Sequence, residues 1–225
     1  MGQLKRRAAM VWQKTLPFIR FVPSFYLLLN ICHMFEQLLQ LDFALFQLIN
    51  EQWHNGFLDT VLPFWRSQYF WGPLYLFFLV FMLYNYHPKT VLGIIVFLLL
   101  AFFLSDQLSA GVIKSLIPRL RPCRTPELAE TVRLLVPCGS GKSFVSAHAT
   151  NHFAIAVYVG RMFRHEFKWL LPVLLVWAAS IAYAQVYVGL HFPTDVVAGA
   201  VLGVVIGGLV SRVANIWLGK QGIRV

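Results

Sequence analysis

The sequence predicts an all-α, polytopic transmembrane helical bundle of five to six spans, with interfacial amphipathic helices near the N-terminus. Three observations carry that prediction. Of the 225 residues 58% are apolar and only 12% charged, against about 25% charged in an ordinary soluble domain. Several apolar runs approach the roughly 20 residues that a helix needs to cross a bilayer. Backbone in hydrocarbon must also satisfy its own hydrogen bonds, which a helix does within one segment. The whole chain, 1–225, reads as one membrane-embedded domain, with a basic and interfacial region over 1–70 and the chemistry-bearing segments over 100–215.

Residues 1–20 set Lys5, Arg6, Arg7, Lys14 and Arg20 among apolar side chains and read as a basic interfacial segment. Pro17, Pro23 and the lack of a small-residue cleavage pattern argue against a signal peptide. The run 21–39 is broken by Pro23, Asn30, His33 and Glu36, which leaves its crossing open. From 40 to 66 the pattern turns amphipathic. Leu41, Leu45 and Leu48 form one stripe, and Phe57, Leu58, Val61, Leu62 and Trp65 another, as for helices lying in the interface. Trp65, Tyr69, Phe70, Trp71 and Tyr75 then mark a membrane boundary.

Five clearer spans follow, at 71–86, 90–116, 147–165, 167–189 and 194–218, with a polar loop at 118–145. Threading them puts the N-terminus, Lys89, the turn from Arg161 to Lys168, Lys220 and Arg224 on one side. That side holds the larger share of the 19 Lys and Arg, so it is expected to be cytoplasmic. The loop 118–145, the start of the span at 147 and the end of the span at 189 then share the outer face. The small outer loop fits a bacterial inner membrane, with the loop facing the periplasm. Cys123 and Cys138 bracket it; they either close a disulfide in an oxidising compartment or remain free thiols.

The net charge of +10 is scattered between apolar runs and not gathered into one stripe. It points to the lipid bilayer and a phosphorylated membrane lipid as partners, with no nucleic acid. No spacing supplies four Cys or His for zinc. His148 and His152 stand four apart as two metal ligands can, but no third ligand or intervening Glu accompanies them. No metal or other cofactor is expected.

Three segments converge on the outer face. Lys114 and Arg121 bring a mobile point charge and a planar fork of donors suited to phosphate oxygens, the bland reading being a snorkelling basic flank. Ser146, Ala147 and His148 open a helix whose N-terminal N–H groups favour an anion, with His148 able to deliver a proton; alternatively Ser146 is a plain cap. His191 and Asp195 stand four apart, so a carboxylate can hold one ring nitrogen and leave the other free to attack. Together these are the parts for phosphoryl transfer through a covalent intermediate.

Order and spacing also resemble the type 2 phosphatidic acid phosphatase superfamily of integral-membrane lipid phosphatases. Its first signature is Lys, six residues, Arg-Pro, which Lys114 to Pro122 matches in full. Its second is Pro-Ser-Gly-His, of which Val145 to His148 keeps the Ser and His. Its third is Ser-Arg, five residues, His, three residues, Asp. Here His191, Asp195 and both spacings remain, while Ala184 and Gln185 replace the Ser and Arg. The resemblance covers about 100–215. It implies His191 as a nucleophile forming a phosphohistidine, Asp195 as its orienter and His148 as the proton donor to the leaving oxygen. Lys114, Arg121, Ser146, the backbone of Ala147 and the position of Gln185 would hold phosphate. Polyprenyl diphosphate, phosphatidylglycerol phosphate, phosphatidic acid and lipid A are the substrate types it allows.

Gln185 supplies neutral amide donors where a cation is expected, and Arg119, Arg124 or Lys142 are the nearby candidates to restore the charge. A catalytically degenerate lipid-phosphate binding or transport protein is the competing reading. Vanadate-binding haloperoxidases share the pocket type but are soluble. Asp106, inside a span, is expected either behind a phosphate-binding cation or in a structural hydrogen bond.

Overall fold

The computed structural model describes residues 22–220, and the expected basic segment 1–20 and Arg224 lie outside the described residues. The chain divides into two compact units, 1–44 and 45–225. In the first, helix α1 (Val22–Gln47) turns Ile31, Met34, Phe35 and Leu38 outward. The stripe beginning at Leu41 is thus the end of this helix and not a separate interfacial one, because no breaker stands between Pro23 and Gln47.

The second unit holds the motif-bearing segments. A π-helical turn, Leu48–Gln52, leads to α2 (Gly56–Trp65), whose first turn is capped by Asn55 accepting from the Leu58 N–H at 2.9 Å. Then come α3 (Gly72–Asn85), α4 (Pro88–Leu116), α5 (Ala147–Met162), α6 (Leu170–Tyr187) and α7 (Pro193–Lys220). These five coincide with the five clear spans expected. Among the described residues, α4, α6 and α7 are long and apolar enough to cross a membrane, while α3 is a shorter apolar helix of 14 residues.

Helix α5 differs from its neighbours. It has 16 residues and buries Thr150, His152 and Tyr158 alongside Ala149, Ala154 and Ala156. It packs against α4, α6 and α7, so protein and not lipid covers its polar groups. Small residues make that packing close. A Cβ on Gly199, Gly203 or Gly207 of α7 would lie 2.6, 2.3 or 2.5 Å from the carbonyl oxygens of Ser146, Thr150 and Ala154. Glycines at every fourth residue therefore form the track on which α5 lies, as in close helix pairs within membranes.

Two further features shape the outer end. Helix α4 passes through a π-helical stretch, Gln107–Ile113, which changes the helix phase just before Lys114. The loop after it is closed by a disulfide between Cys123 and Cys138 (S–S 2.02 Å). Asp106 lies in a structural polar link, its Oδ1 accepting from Asn151 Nδ2 at 3.2 Å, while Asn151 Oδ1 accepts from Ser105 at 2.7 Å.

Candidate active site

The site is built where the chain leaves α6 and enters α7. Gly189 makes the turn with φ +86°, a conformation that a side chain resists, and the carbonyl of Arg133 stands only 2.8 Å from where a Cβ would be. His191 follows, its backbone N–H donating to the Gln185 carbonyl at 3.3 Å. Pro193 starts α7, and Asp195 in its first turn reaches back to accept from the Phe192 N–H at 2.9 Å. This is the reciprocal half of a capping box.

Asp195 is fully buried, and its oxygens are divided among donors. Oδ1 accepts from Arg119 at 2.7 Å. Oδ2 accepts from the Ser143 hydroxyl and lies 3.5 Å from His191 Nδ1. Ser143 Oγ is also 3.4 Å from that same Nδ1. Since the hydroxyl proton goes to Asp195, the Ser143 oxygen is left to accept, and Nδ1 carries the proton. The Nε2 lone pair of His191 then points away from the carboxylate. Burial, offset in part by Asp195 and reinforced by Arg121 and Lys114, brings the His191 imidazole down to about 4, so it is neutral at physiological pH.

Arg121 faces that nitrogen, with Nη1 3.4 Å from His191 Nε2 and 3.3 Å from the Leu190 carbonyl, and Nε 3.0 Å from the Gly141 carbonyl. Burial disfavours its charged form, and the cation is held there by backbone carbonyls and the field of Asp195. Ser146 caps α5, accepting from the Ala149 N–H at 3.4 Å, and its own N–H donates to the Asp195 carbonyl at 3.0 Å. That bond ties the N-terminus of α5 to α7. It sets Ala147 and His148 in the first turn of α5, where the cations Arg66 and Lys114 and the imidazoles of His152 and His191 are the titratable neighbours of His148. Lys114 lies half-buried within the fields of Arg121, Asp195 and Asp106.

Lys114, Arg121, Ser146, His148, His191 and Asp195 are thereby brought together from three segments of the chain. One expectation needs correction. Arg119 does not stand in for a cation at position 185: it is bound to Asp195 and Thr194, with its guanidinium 4.2 Å from the Phe192 ring centroid. Arg124 donates to the Ser140 carbonyl at 2.9 Å, and Lys142 is exposed. The cation beside Gln185 is Arg66, whose Nε donates to Gln185 Oε1 at 3.2 Å. Sequence reasoning missed Arg66 and Ser143. The first belongs to no local pattern, while the second left a signal, a Ser three residues before Ser146 at the end of the outer loop.

A cross-brace holds α2 in place. Asn50 donates to the carbonyls of Arg133 and Tyr187 at 2.9 and 2.7 Å and accepts from the Arg133 N–H at 2.9 Å. Asp59 pairs with Arg133 at 2.7 Å and accepts from the Tyr187 hydroxyl at 2.8 Å. The Arg133 hydrogen bond holds the Asp59 carboxyl below the ordinary carboxylate range.

The fold and the motif geometry define an integral-membrane, all-helical protein, and the family model described as the PAP2 superfamily matches residues 90–217. The chain belongs to that superfamily. Among curated proteins it is 34% identical over 153 residues to a lipid A 4′-phosphatase of Bacteroides thetaiotaomicron, covering 67% of either chain. It is 30% identical over 195 residues to a lipid A 4′-phosphatase of Porphyromonas gingivalis, covering 83% of this chain and 80% of the relative. The crystal structure of Aquifex aeolicus LpxE superposes with a TM-score of 0.58 at 28% identity, over 76% of this chain and 95% of that one.

Proposed function

We propose that this protein removes phosphate from a lipid A-type glycolipid, through a phosphohistidine on His191 and without a metal. The coarser statement is firm: family and curated relatives make the chain a membrane lipid phosphatase. The single observation that carries the mechanism is the arrangement at His191. Nδ1 is engaged by Ser143 and Asp195 while Nε2 faces the cation Arg121. A phosphate oxygen arriving at Arg121 brings phosphorus to that nitrogen.

In the first step Nε2 attacks phosphorus as the bond from phosphorus to the lipid oxygen breaks. With the phosphate dianion bound beside it to stabilise the imidazolium, His148 gives its proton to that oxygen, and the dephosphorylated lipid departs. The neutral His148 then takes a proton from water, whose oxygen attacks the phosphohistidine and releases orthophosphate. Lys114, Arg121, Ser146 and the Ala147 N–H bind the phosphoryl oxygens, whose charge must be held as it spreads in the transition state. Arg119 and Ser143 keep Asp195 in place and so act through it.

The lipid tails have a place to lie. A cavity of about 330 Å³ between α3, α4, α5 and α6 is lined by Tyr75, Phe78, Met82, Ile94 and Trp177 among others. Trp177 packs edge-on to His152 at 5.2 Å, and His152 stacks on His148 at 6.2 Å, so the apolar lining leads to the proposed proton donor. The relatives supply the substrate class, and the charge distribution of the chain supports a catalytic face on the periplasmic side of a bacterial inner membrane.

Rapid quench with labelled lipid A phosphate should trap an acid-labile, base-stable phosphoryl group on the protein. His191→Ala should lose both the adduct and turnover, by at least ~10³-fold. Retained turnover in that variant would reject the mechanism. Binding of lipid phosphate without release by the wild-type protein would favour the non-catalytic reading.

A further inference from the structure

Gln185 raises a specific difficulty. It sits fully buried where the superfamily pattern carries an arginine, and a neutral amide there gives up a charge-assisted bond to phosphate. A cation from elsewhere in the chain reaches the Gln185 amide. Arg66 is the residue just after α2, half-buried, and its Nε donates to Gln185 Oε1 at 3.2 Å across 119 residues of sequence.

We propose that Arg66 is a phosphate-binding residue that replaces the missing motif arginine, with Gln185 as the amide that aims it. This rests on the phosphatase reading given above. The hydrogen bond engages Nε, not the two Nη groups that form the bidentate fork for phosphate oxygens. Arg66 is also close enough to Arg121 and to His148, the proposed proton donor, for their charges to interact. A second, independent observation points to an anion. Gln185 Nε2 is buried and has no hydrogen-bond partner among the described residues, and a phosphate oxygen is the acceptor that it lacks.

The neighbouring contacts fix Arg66 rather than leave it to solvent. On one side of it, Trp65 Nε1 donates to Ser180 of α6 at 2.8 Å. On the other, Trp71 Nε1 donates to the Trp65 carbonyl at 2.8 Å, and its ring packs edge-on against Trp177 at 5.5 Å. The Arg66 N–H itself closes α2 by donating to the Leu62 carbonyl at 3.1 Å. Burial works against the charged guanidinium, an expense that a surface cation does not meet and that a bound dianion would offset.

The experiment is a swap. Phosphate release and the inhibition constant for inorganic phosphate are measured on detergent-purified wild type, Arg66→Gln, Gln185→Arg, the Arg66→Gln/Gln185→Arg double variant and His191→Ala. Arg66→Gln should lose roughly 10²-fold in kcat/KM and weaken inhibition by phosphate. The double variant, which returns the guanidinium to the motif position, should recover to within about 10-fold of wild type. Gln185→Arg alone should fall below wild type, because two guanidinium groups then compete for one buried place. Arg66→Lys should retain phosphate inhibition better than Arg66→Gln, since it keeps the charge but not the fork, and it serves if the glutamine variant fails to fold. Arg66→Gln within about 3-fold of wild type in both measurements, or a double variant no better than Arg66→Gln alone, would overturn the proposal. Activity in His191→Ala would instead overturn the underlying mechanism, so the two failures are distinguishable.

Discussion

The two sides of the site are held by different means. On the side of α5 and α7, helices touch backbone to backbone through Gly199, Gly203 and Gly207, and one main-chain bond from Ser146 to the Asp195 carbonyl joins their ends. On the side of α2, side chains make the connection: Asp59 to Arg133, Tyr187 to Asp59, Trp65 to Ser180 and Arg66 to Gln185. The first kind of contact leaves no slack, because a carbonyl oxygen and a missing Cβ have no alternative rotamers. The second depends on long side chains, each replaceable at modest cost. Chemistry that needs a fixed angle, the attack proposed for His191, sits on the first side. Charge that needs only to be near phosphate can come from the second.

The contrast can be broken at several points. Asp195→Asn leaves the shape but removes the carboxylate that holds His191, Arg119 and Ser143, and kcat should fall on the order of 10³-fold with folding retained. A decrease under 10-fold would show that Ser143 alone orients the ring. Gly203→Ala places a Cβ 2.3 Å from the Thr150 carbonyl, so α5 and α7 must part. Roughly 2–3 kcal/mol of overpacking should lower the melting temperature by about 5–10 °C and reduce activity in proportion to the displaced site. A melting curve equal to wild type would show that the glycine track is not tight.

Ser143→Ala should cost about 10-fold in kcat with little change in KM, since it loosens the tautomer of His191 without touching substrate. The pH profile sharpens the same point. Burial keeps His191 down to about 4, so its protonation should bring down kcat/KM only as pH falls towards 4, not through the ordinary imidazole range near 6.5. An acid limb near 6.5 that disappears on changing another residue would assign that limb elsewhere.

The smallest effect is expected on the α2 side. Asp59→Asn weakens the ion pair to Arg133, and an activity loss of a few-fold is expected, since the pair is only half-buried and partly screened. In a double-mutant cycle with Arg66→Gln the two losses should not add if the brace, through α2, holds that guanidinium in place. Simple additivity would mean that it serves the outer loop alone.

Much of this was written locally. The five helices follow from apolar runs, three of them of membrane length, while the four-residue spacing keeps His191 and Asp195 close, His191 standing just before α7 and Asp195 in its first turn. Lys114 and Arg121 flank a short loop, so chain connectivity already keeps them close. Other features were only half legible. The polar content of α5 is explained only once α4, α6 and α7 cover it, and the stripe at Leu41 proved continuous with α1. The Asp195 donor set shows the limit well: the sequence proposes its pairing with His191, but Arg119 and Ser143 arrive from a loop whose course is set by its disulfide and its bonds to Asn50.

By itself the sequence determined the membrane bundle and the order of the motifs, and it raised the expectation of a cation near Gln185. Only the tertiary structure decided what stands beside Gln185. Residues 119 apart meet because α2 is clamped to the end of α6 by contacts that no periodicity encodes. Spacing rules reach one or two helical turns, and beyond that the packing of whole elements selects the neighbours.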